Sequence, residues 1–188
     1  EDPPRHAALL ADTLDKIDRE ANRAGQVMRR LREFFRGGGL RPETFSAQDL
    51  VEESLAHVRR RAERQGIGIE TRFEEHLPLI HADRVQMGTV LHNLLANAVE
   101  SLTDHPTLWR DIEITAVRHG ADQVRLCVSD SGQGVQPDME QRLFDSFATS
   151  KTEGMGLGLA ISRTLVEAHG GELWLDKLRP ARFCFTLP

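Results

Sequence analysis

The segment 83–102 constrains the fold of this chain most strongly. Its apolar residues recur at helical spacing and predict one amphipathic helix; they are Met87, Leu91, Leu94, Leu95, Ala98 and Leu102. Asp83 is a good N-cap residue for this helix. Asn93 and Asn97 lie four residues apart on nearly the same side, and Glu100 follows one turn later. The polar side is therefore either a cleft lined by two amides and a carboxylate or a solvated surface, where Glu100 orients water or a lysine or is simply exposed.

Two glycine-rich segments follow this helix, and each has a chemical and a purely structural interpretation. Asp130 ends an alternating apolar run, so its carboxylate is expected at a strand end, where it can accept a hydrogen bond from an amine such as N6 of adenine. Gly132 and Gly134 then allow either close approach to a flat ligand or an ordinary tight turn. Gly154 to Gly158 precede another helix, whose N–H groups and dipole favour phosphate oxygens. Together with the asparagines, these segments predict one nucleotide site.

The spacing of the second glycine-rich segment fits neither the dinucleotide fingerprint nor the lysine-containing P-loop, so both common nucleotide-binding folds are disfavoured. Lys151 lies three residues before the segment and either reaches a phosphate or is an ordinary exposed lysine. Asparagine carbonyl oxygens are ligands that magnesium accepts. Asn97 is the better candidate ligand and Asn93 the second.

The composition is that of a globular chain, with 39% hydrophobic and 28% charged residues among 188. A net charge of −5 gives no reason to expect a nucleic-acid partner, and no apolar run is long enough to span a membrane. Cys127 and Cys184 occupy alternating positions in apolar, strand-like runs, so we expect small core residues rather than a disulfide or metal site. This pattern and the lack of a signal peptide predict a cytoplasmic, reducing location. A first residue other than Met suggests a fragment.

A heptad repeat of apolar residues occupies the start of the chain. Its positions are Leu10, Leu14, Ile17, Ala21, Ala24, Met28, Leu31 and Phe35. This 3.5-residue period favours packing against another long helix, as in a dimer, over a helix lying on its own domain. Three glycines at 37–39 end the helix, so we place a domain boundary between 1–39 and 40–188.

The second region alternates helical and strand patterns. We expect helices at 46–65, 83–102, 138–144 and 157–168, and strands at 67–73, 112–116, 124–128, 172–176 and 182–187. The segment 119–122 joins two of these strands as a hairpin, and Leu79-Ile80 is only a short apolar step. Helices clustered with antiparallel strands predict an α+β fold, a two-layer α/β sandwich.

Four segments in this order and spacing resemble the N, G1, F and G2 boxes of sensor histidine kinases. They are Asn93-Leu-Leu-Ala-Asn-Ala98, Asp130-Ser-Gly-Gln-Gly134, Leu143-Phe-Asp-Ser-Phe-Ala-Thr-Ser-Lys151 and Gly154-Met-Gly-Leu-Gly-Leu159. The chain is most similar to kinases that sense oxygen for nitrogen fixation, dicarboxylates or nitrogen status. The resemblance implies a Bergerat (GHKL) ATP-binding domain at 40–188, preceded by a long dimerisation helix. That helix, in 1–39, resembles the second helix of an incomplete dimerisation and phosphotransfer hairpin.

The resemblance also implies the roles of individual residues. Asp130 would bind adenine, Asn97 with Asn93 would hold Mg²⁺, and Phe144 with Phe147 would anchor the lid. The residues implied to bind ATP are Asn97, Asp130, Gly132, Gly134, Phe144, Phe147, Thr149, Lys151, Gly154, Met155, Gly156, Leu157 and Gly158, and those implied in catalysis are Asn93, Asn97 and Lys151. Only two residues separate Lys151 from Gly154, so we expect a small lid and weak, readily reversible binding.

The implied function is transfer of the γ-phosphoryl group of ATP to a histidine and then to an aspartate of a response regulator. The family's acceptor histidine is followed by an acidic residue, and none of the eight histidines here is, so the acceptor helix is expected to be missing from this fragment. The family usually has a glycine-containing turn where this chain has 176–183, which leaves the last hairpin uncertain but not the site. The alternatives are a dimeric nucleotide-binding module without phosphotransfer and another GHKL-type ATPase. The latter usually carries a general-base glutamate where this chain has Asn93.

Overall fold

The chain forms two compact units, Glu1–Gly39 and Leu40–Pro188. The computed structural model describes residues 13, 14, 18, 25, 41–104, 108–149 and 156–188. The four described residues of the first unit are helical. Most of the predicted heptad helix lies outside the described residues, so its role in dimerisation stays a prediction.

The second unit is built from three α-helices, seven strands and one 3₁₀ turn within its described residues. The helices are α1 (Ala47–Arg64), α2 (Arg84–Asp104) and α3 (Gly158–Ala168), and the 3₁₀ turn is Glu140–Arg142. The strands are β1 (Glu43–Phe45), β2 (Gly68–Phe73), β3 (Ile80–Ala82), β4 (Asp111–His119), β5 (Gln123–Asp130), β6 (Leu173–Lys177) and β7 (Arg182–Leu187). None of the helices in the described part of the chain is long and apolar enough to cross a membrane.

The main sheet has five strands in the order β2-β4-β5-β7-β6. All its neighbours are antiparallel except β2 and β4, which are parallel. The expectation of antiparallel strands alone was wrong at this pair, because the chain returns through α2 between the two strands and such a crossover produces parallel pairing. The strand expected at 67–73 forms as β2, which begins one residue later. Thr71 is exposed because β2 is an edge strand.

A second, two-stranded sheet pairs β1 with β3, with Phe45 opposite Ile80. The sequence indicated only a short apolar step at this point, because three-residue strands are too short to show an alternating pattern. The His81 N–H also donates to the carbonyl oxygen of Pro188 at 2.9 Å, so this small sheet contacts the last residue of the chain.

The core lies between the helices and the main sheet. The six apolar residues predicted to form the packed face of α2 are each at most 3% exposed. Opposite partners on the sheet include Ile112, Ile114, Leu126 and Phe185, all fully buried. The predicted two-layer α/β sandwich is therefore confirmed.

Capping side chains start the first two helices where the sequence predicted. The Ser46 Oγ accepts the Asp49 N–H at 3.0 Å, and the Asp83 Oδ1 accepts the Gln86 N–H at 3.1 Å. Each bond satisfies a backbone donor that has no partner inside the helix. The helix expected at 138–144 was predicted too long, since only the 3₁₀ turn Glu140–Arg142 forms there.

Cys127 and Cys184 form a disulfide bond, so the expectation of two unpaired core cysteines was wrong. They lie directly opposite each other on β5 and β7, with their Cα atoms 4.1 Å apart. The sequence did not reveal this pairing because the two cysteines are 57 positions apart and their register depends on the fold of the whole sheet. Cysteine usage therefore no longer supports a reducing location.

Candidate functional site

Helix α2 makes side-chain contacts with both glycine-rich segments. Its Asn93 contacts the start of α3, and its Ser101 contacts Asp130 at the end of β5. Eight residues of α-helix span about 12 Å. One rigid helix therefore sets the spacing between the predicted base-binding carboxylate and the segment predicted to bind phosphates.

Asp130 is buried at the end of β5, with 6% of its surface exposed. Its Oδ1 accepts two hydrogen bonds, from the Ser101 hydroxyl and from the Gly132 N–H, each at 3.0 Å. An ionised carboxylate accepts hydrogen bonds only, and its burial is costly unless such donors surround it. This position suits recognition of a ligand N–H group, as the sequence predicted for adenine.

The loop after Asp130 is held against the last hairpin of the chain. Gly134 has φ +79°, and a Cβ atom there would collide with the Leu178 carbonyl group. The adjacent Val135 N–H donates to the Leu178 oxygen at 2.9 Å. The turn in the unusual 176–183 segment therefore packs against the loop that carries Gly132 and Gly134, the glycine loop, a contact that the sequence did not indicate.

Asn93 is oriented by α3. Its Nδ2 donates to the Ser162 Oγ at 3.2 Å and to the Gly158 carbonyl oxygen at 3.4 Å. A Cβ atom at Gly158 would lie 4.0 Å from the Asn93 Oδ1, so the carbonyl oxygen of Asn93 also lies near the start of α3. Asn97 and Glu100 are half-buried on neighbouring turns of α2, which agrees with the predicted polar side of the helix.

These residues fit a magnesium ion that is shared with a nucleotide. Within the described ranges, no group of three or more His, Cys, Asp or Glu side chains could hold a metal ion. A magnesium site here would therefore depend on amide oxygens, the phosphates of the nucleotide and water, a combination that this ion commonly accepts.

The segment with the two predicted lid-anchoring phenylalanines contacts both α3 and Gly156, which lies two residues before α3. The Arg163 guanidinium lies over the Phe144 ring, 5.0 Å from its centre, which is cation–π geometry. The Phe147 N–H donates to the Gly156 carbonyl oxygen at 2.9 Å, whereas the Phe147 side chain is 70% exposed. Phe144 thus contacts the domain through its ring, and Phe147 through its backbone.

The remaining predicted nucleotide-binding residues lie near the gap between 149 and 156. Lys151, Gly154 and Met155 are outside the described residues. Thr149 is half-buried at one side of the gap. On the other side, Gly156 has φ +63° and would clash with the Phe147 and Ala148 backbone if it carried a side chain, and Leu157 is buried immediately before α3 begins at Gly158.

Sequence reasoning missed two hydroxyl groups at this site, those of Ser101 and Ser162. Both have a signal in the sequence. Ser101 lies four residues after Asn97 on α2, and Ser162 lies four residues after Gly158 on α3. Such spacing places them on the same helix faces as residues already assigned to the site.

Comparison with known proteins agrees with this arrangement. A family model described as "Histidine kinase-, DNA gyrase B-, and HSP90-like ATPase" matches residues 82–188, which include both asparagines, Asp130 and both glycine-rich segments. The chain belongs to this family. The Bergerat-type fold and its ATP-binding character, expected from the sequence, are confirmed.

Individual relatives are sensor kinases, which confirms the resemblance drawn from the four boxes. The sensor protein FixL of Bradyrhizobium diazoefficiens is 38% identical over 181 residues, a match covering 95% of this chain and 35% of FixL. Full-length ShkA in complex with AMPPNP is 32% identical with a TM-score of 0.70, covering 82% of this chain and 33% of ShkA. The histidine kinase ThkA in complex with the response regulator TrrA shares the fold at 24% identity, with a TM-score of 0.73, covering 100% of this chain and 52% of that one.

Proposed function

We propose that this chain is the ATP-binding kinase core of a sensor histidine kinase, and that it transfers the γ-phosphoryl group of ATP to a histidine. The observation that carries the proposal is the buried Asp130 carboxylate, held by α2 and the glycine loop at one end of the helix that carries Asn93 and Asn97. The chain spans 35% of the length of FixL, so the activity of the whole protein is part of this proposal.

The residues divide into three roles. Asp130 receives the adenine amine, and the loop containing Gly132 and Gly134 approaches the base. The phosphates are covered by Gly154 to Gly158, including Met155 and Leu157, together with Lys151, and Thr149 adds a further contact to the nucleotide. Asn97, with Asn93, would hold Mg²⁺, which when bound neutralises charge on the phosphates and helps to align the group in transfer.

Asn93 also argues against hydrolysis as the main activity. A carboxamide cannot accept a proton as a general base, and the nitrogen end of this one is bonded to Ser162 and Gly158 on α3. Asn93 therefore holds α2 against α3, and positioning together with charge neutralisation would supply most of the catalysis.

The partners follow from the same proposal. The acceptor histidine is supplied by a helix other than those of the ATP-binding unit, and the phosphoryl group passes on to an aspartate of a response-regulator receiver domain. ThkA in complex with TrrA is an example of such a pairing in a protein with this fold. We place the domain in the cytoplasm, where ATP and response regulators are found.

Calorimetric titration tests the nucleotide site. The chain is titrated with ADP and with AMPPNP, a non-hydrolysable ATP analogue, each with and without Mg²⁺, and the same is done with Asp130→Asn. We expect Mg²⁺-dependent binding with a micromolar dissociation constant, because a small lid covers little of the nucleotide. Asp130→Asn should abolish detectable binding while the unfolding midpoint stays close to that of the wild type.

Asp122→Asn is the matched control, since Asp122 is exposed directly before the other end of the same strand, about 26 Å away along the direction of β5. Unchanged ADP affinity in Asp130→Asn would refute the site assignment, and a low nanomolar dissociation constant would refute the role of the small lid.

Phosphotransfer itself is tested by adding a helical hairpin that carries an acceptor histidine. Acid-labile phosphohistidine supports the kinase, and its absence with intact ATP binding favours a nucleotide-binding module.

A further inference from the structure

We propose that Ser101 is a positioning residue for Asp130, and that it thereby strengthens recognition of the amino group of a 6-aminopurine. The inference rests on the proposed nucleotide site and adds to it a side chain that neither the four sequence boxes nor the implied ligand set includes. Two observations support it: the Ser101 hydroxyl is directed at Asp130, and the Ser101 hydroxyl and the Gly132 N–H both donate to the Asp130 Oδ1.

The Ser101 hydroxyl behaves differently from that of Thr89 on the same helix. Thr89 donates to the carbonyl oxygen four residues earlier, at 3.0 Å. This backbone contact is the usual choice for Ser and Thr inside a helix. Ser101 instead donates across to the Asp130 Oδ1 on β5, at 3.0 Å. The Ser101 hydroxyl therefore bonds the carboxylate and not a carbonyl group of its own helix.

Two donors from different elements fix the Asp130 carboxylate. Ser101 approaches from α2 and the Gly132 N–H from the glycine loop, and both bond the same oxygen, Oδ1. A Cβ atom at position 132 would lie 2.6 Å from that oxygen and would also collide with the Ser101 hydroxyl, so the three groups are closely packed. With Oδ1 anchored in this way, the carboxylate plane cannot rotate freely in its buried position.

A fixed orientation of the Asp130 carboxylate should strengthen binding of the base and not binding of the phosphates. A base amine gains most from an acceptor that is already correctly oriented, because little ordering then remains to be done on binding. Loss of the Ser101 hydroxyl leaves Asp130 with one of these two donors and a less restricted carboxylate. A nucleotide without the 6-amino group makes no use of that orientation, so its affinity should not depend on Ser101.

The experiment is a double-mutant cycle between residue 101 and the amino group of the base. Wild type, Ser101→Ala, Ser101→Thr and Asp130→Asn are titrated calorimetrically with Mg²⁺ and either ADP or purine riboside 5′-diphosphate, which lacks the 6-amino group. Ser101→Ala should weaken ADP binding about tenfold, the scale of a lost hydrogen bond to a charged group, and the purine riboside nucleotide less than about twofold. Ser101→Thr restores the hydroxyl and should bind ADP like the wild type.

Thr89→Ala is the matched control for loss of a hydroxyl from α2, and its unfolding midpoint is compared with that of Ser101→Ala. Equal weakening of both nucleotides, or no change in ADP binding, in Ser101→Ala overturns the inference. If Asp130→Asn still abolishes ADP binding in that case, the proposed function stands. If Asp130→Asn binds ADP normally, the nucleotide site itself is misassigned and the inference falls with it.

Discussion

Arg110 joins the ends of two helices with a single side chain. Its Nη1 donates to the Gln65 carbonyl oxygen at the C-cap of α1, and its Nη2 donates to the Leu102 carbonyl oxygen in the last turn of α2, both at 2.7 Å. The last carbonyl groups of a helix lack partners inside it and carry partial negative charge. The guanidinium therefore satisfies two such groups and holds α1 and α2 together near Ser101.

Replacing Arg110 by alanine should lower the free energy of unfolding by about 1–3 kcal/mol, because two carbonyl oxygens lose a charged donor. Urea unfolding followed by circular dichroism measures this change. Arg59→Ala is the control, since Arg59 is exposed on α1. Arg110→Lys should fall in between, because an ammonium group lacks the forked geometry of the guanidinium. A loss no larger than that of Arg59→Ala would contradict the role of Arg110.

At the scale of single residues, the sequence predicted contacts between neighbours and missed contacts between distant residues. The caps formed by Ser46 and Asp83 each involve a backbone N–H three residues later, so they follow from local spacing. Arg110 bonds a residue 45 positions away, and Ser101 bonds one 29 positions away. Such partners are determined only when α2 has packed against the sheet, and sequence spacing alone does not indicate them.

The disulfide between Cys127 and Cys184 links β5 to β7 in the centre of the main sheet. It closes a loop of 57 residues that includes the glycine loop, the segment of the lid and α3. A crosslink across a loop of this size stabilises the folded state by about 4 kcal/mol in the chain-entropy description. The bond therefore restrains the unfolded chain in the region that carries most of the site.

Reduction of this disulfide should lower the free energy of unfolding by about 4 kcal/mol. The measurement is urea unfolding of the wild type with and without dithiothreitol, after equilibration long enough for the buried bond to be reduced. The double variant Cys127→Ala, Cys184→Ala should unfold at the same lower urea concentration as the reduced wild type, and dithiothreitol should not change its unfolding curve. Identical curves for the wild type with and without reductant would mean that the bond does not form.

At the scale of elements, periodicity predicted most of what the structure contains. The hairpin of β4 and β5 and the closing strands were expected because each follows an alternating pattern with a turn signal beside it. The small sheet of β1 and β3 was missed, since three residues are too few for a period. The parallel pairing of β2 with β4 was missed because it depends on how α2 crosses the sheet.

At the scale of the whole molecule, the site draws on segments that lie far apart in the sequence. Asn93 on α2 and Ser162 on α3 are 69 residues apart, yet their side chains are bonded. The order of the four boxes predicted which segments meet, because that combination is more specific than any single box. It could not predict the contact between the glycine loop and the turn at Leu178, where this chain departs from the usual pattern of the family.

Dimerisation is the remaining prediction for the whole molecule. Leu14 is a position of the predicted heptad seam, and its side chain is 61% exposed in the single chain. An apolar seam residue that is exposed in one copy favours pairing with a second copy, because burial of each leucine contributes about 1.5–3 kcal/mol. We therefore expect a reversible dimer whose seam includes Leu14.

Replacing Leu14 by glutamate should weaken this dimer about a hundredfold or more, since two leucines lose their burial and two like charges meet in the seam. Sedimentation velocity over a range of protein concentrations measures the dissociation constant. Thr13→Glu adds the same charge one residue away and outside the seam, so it should change the constant much less. A wild-type chain that stays monomeric at every concentration, or equal effects of the two substitutions, would show that the heptad residues do not form the dimer contact.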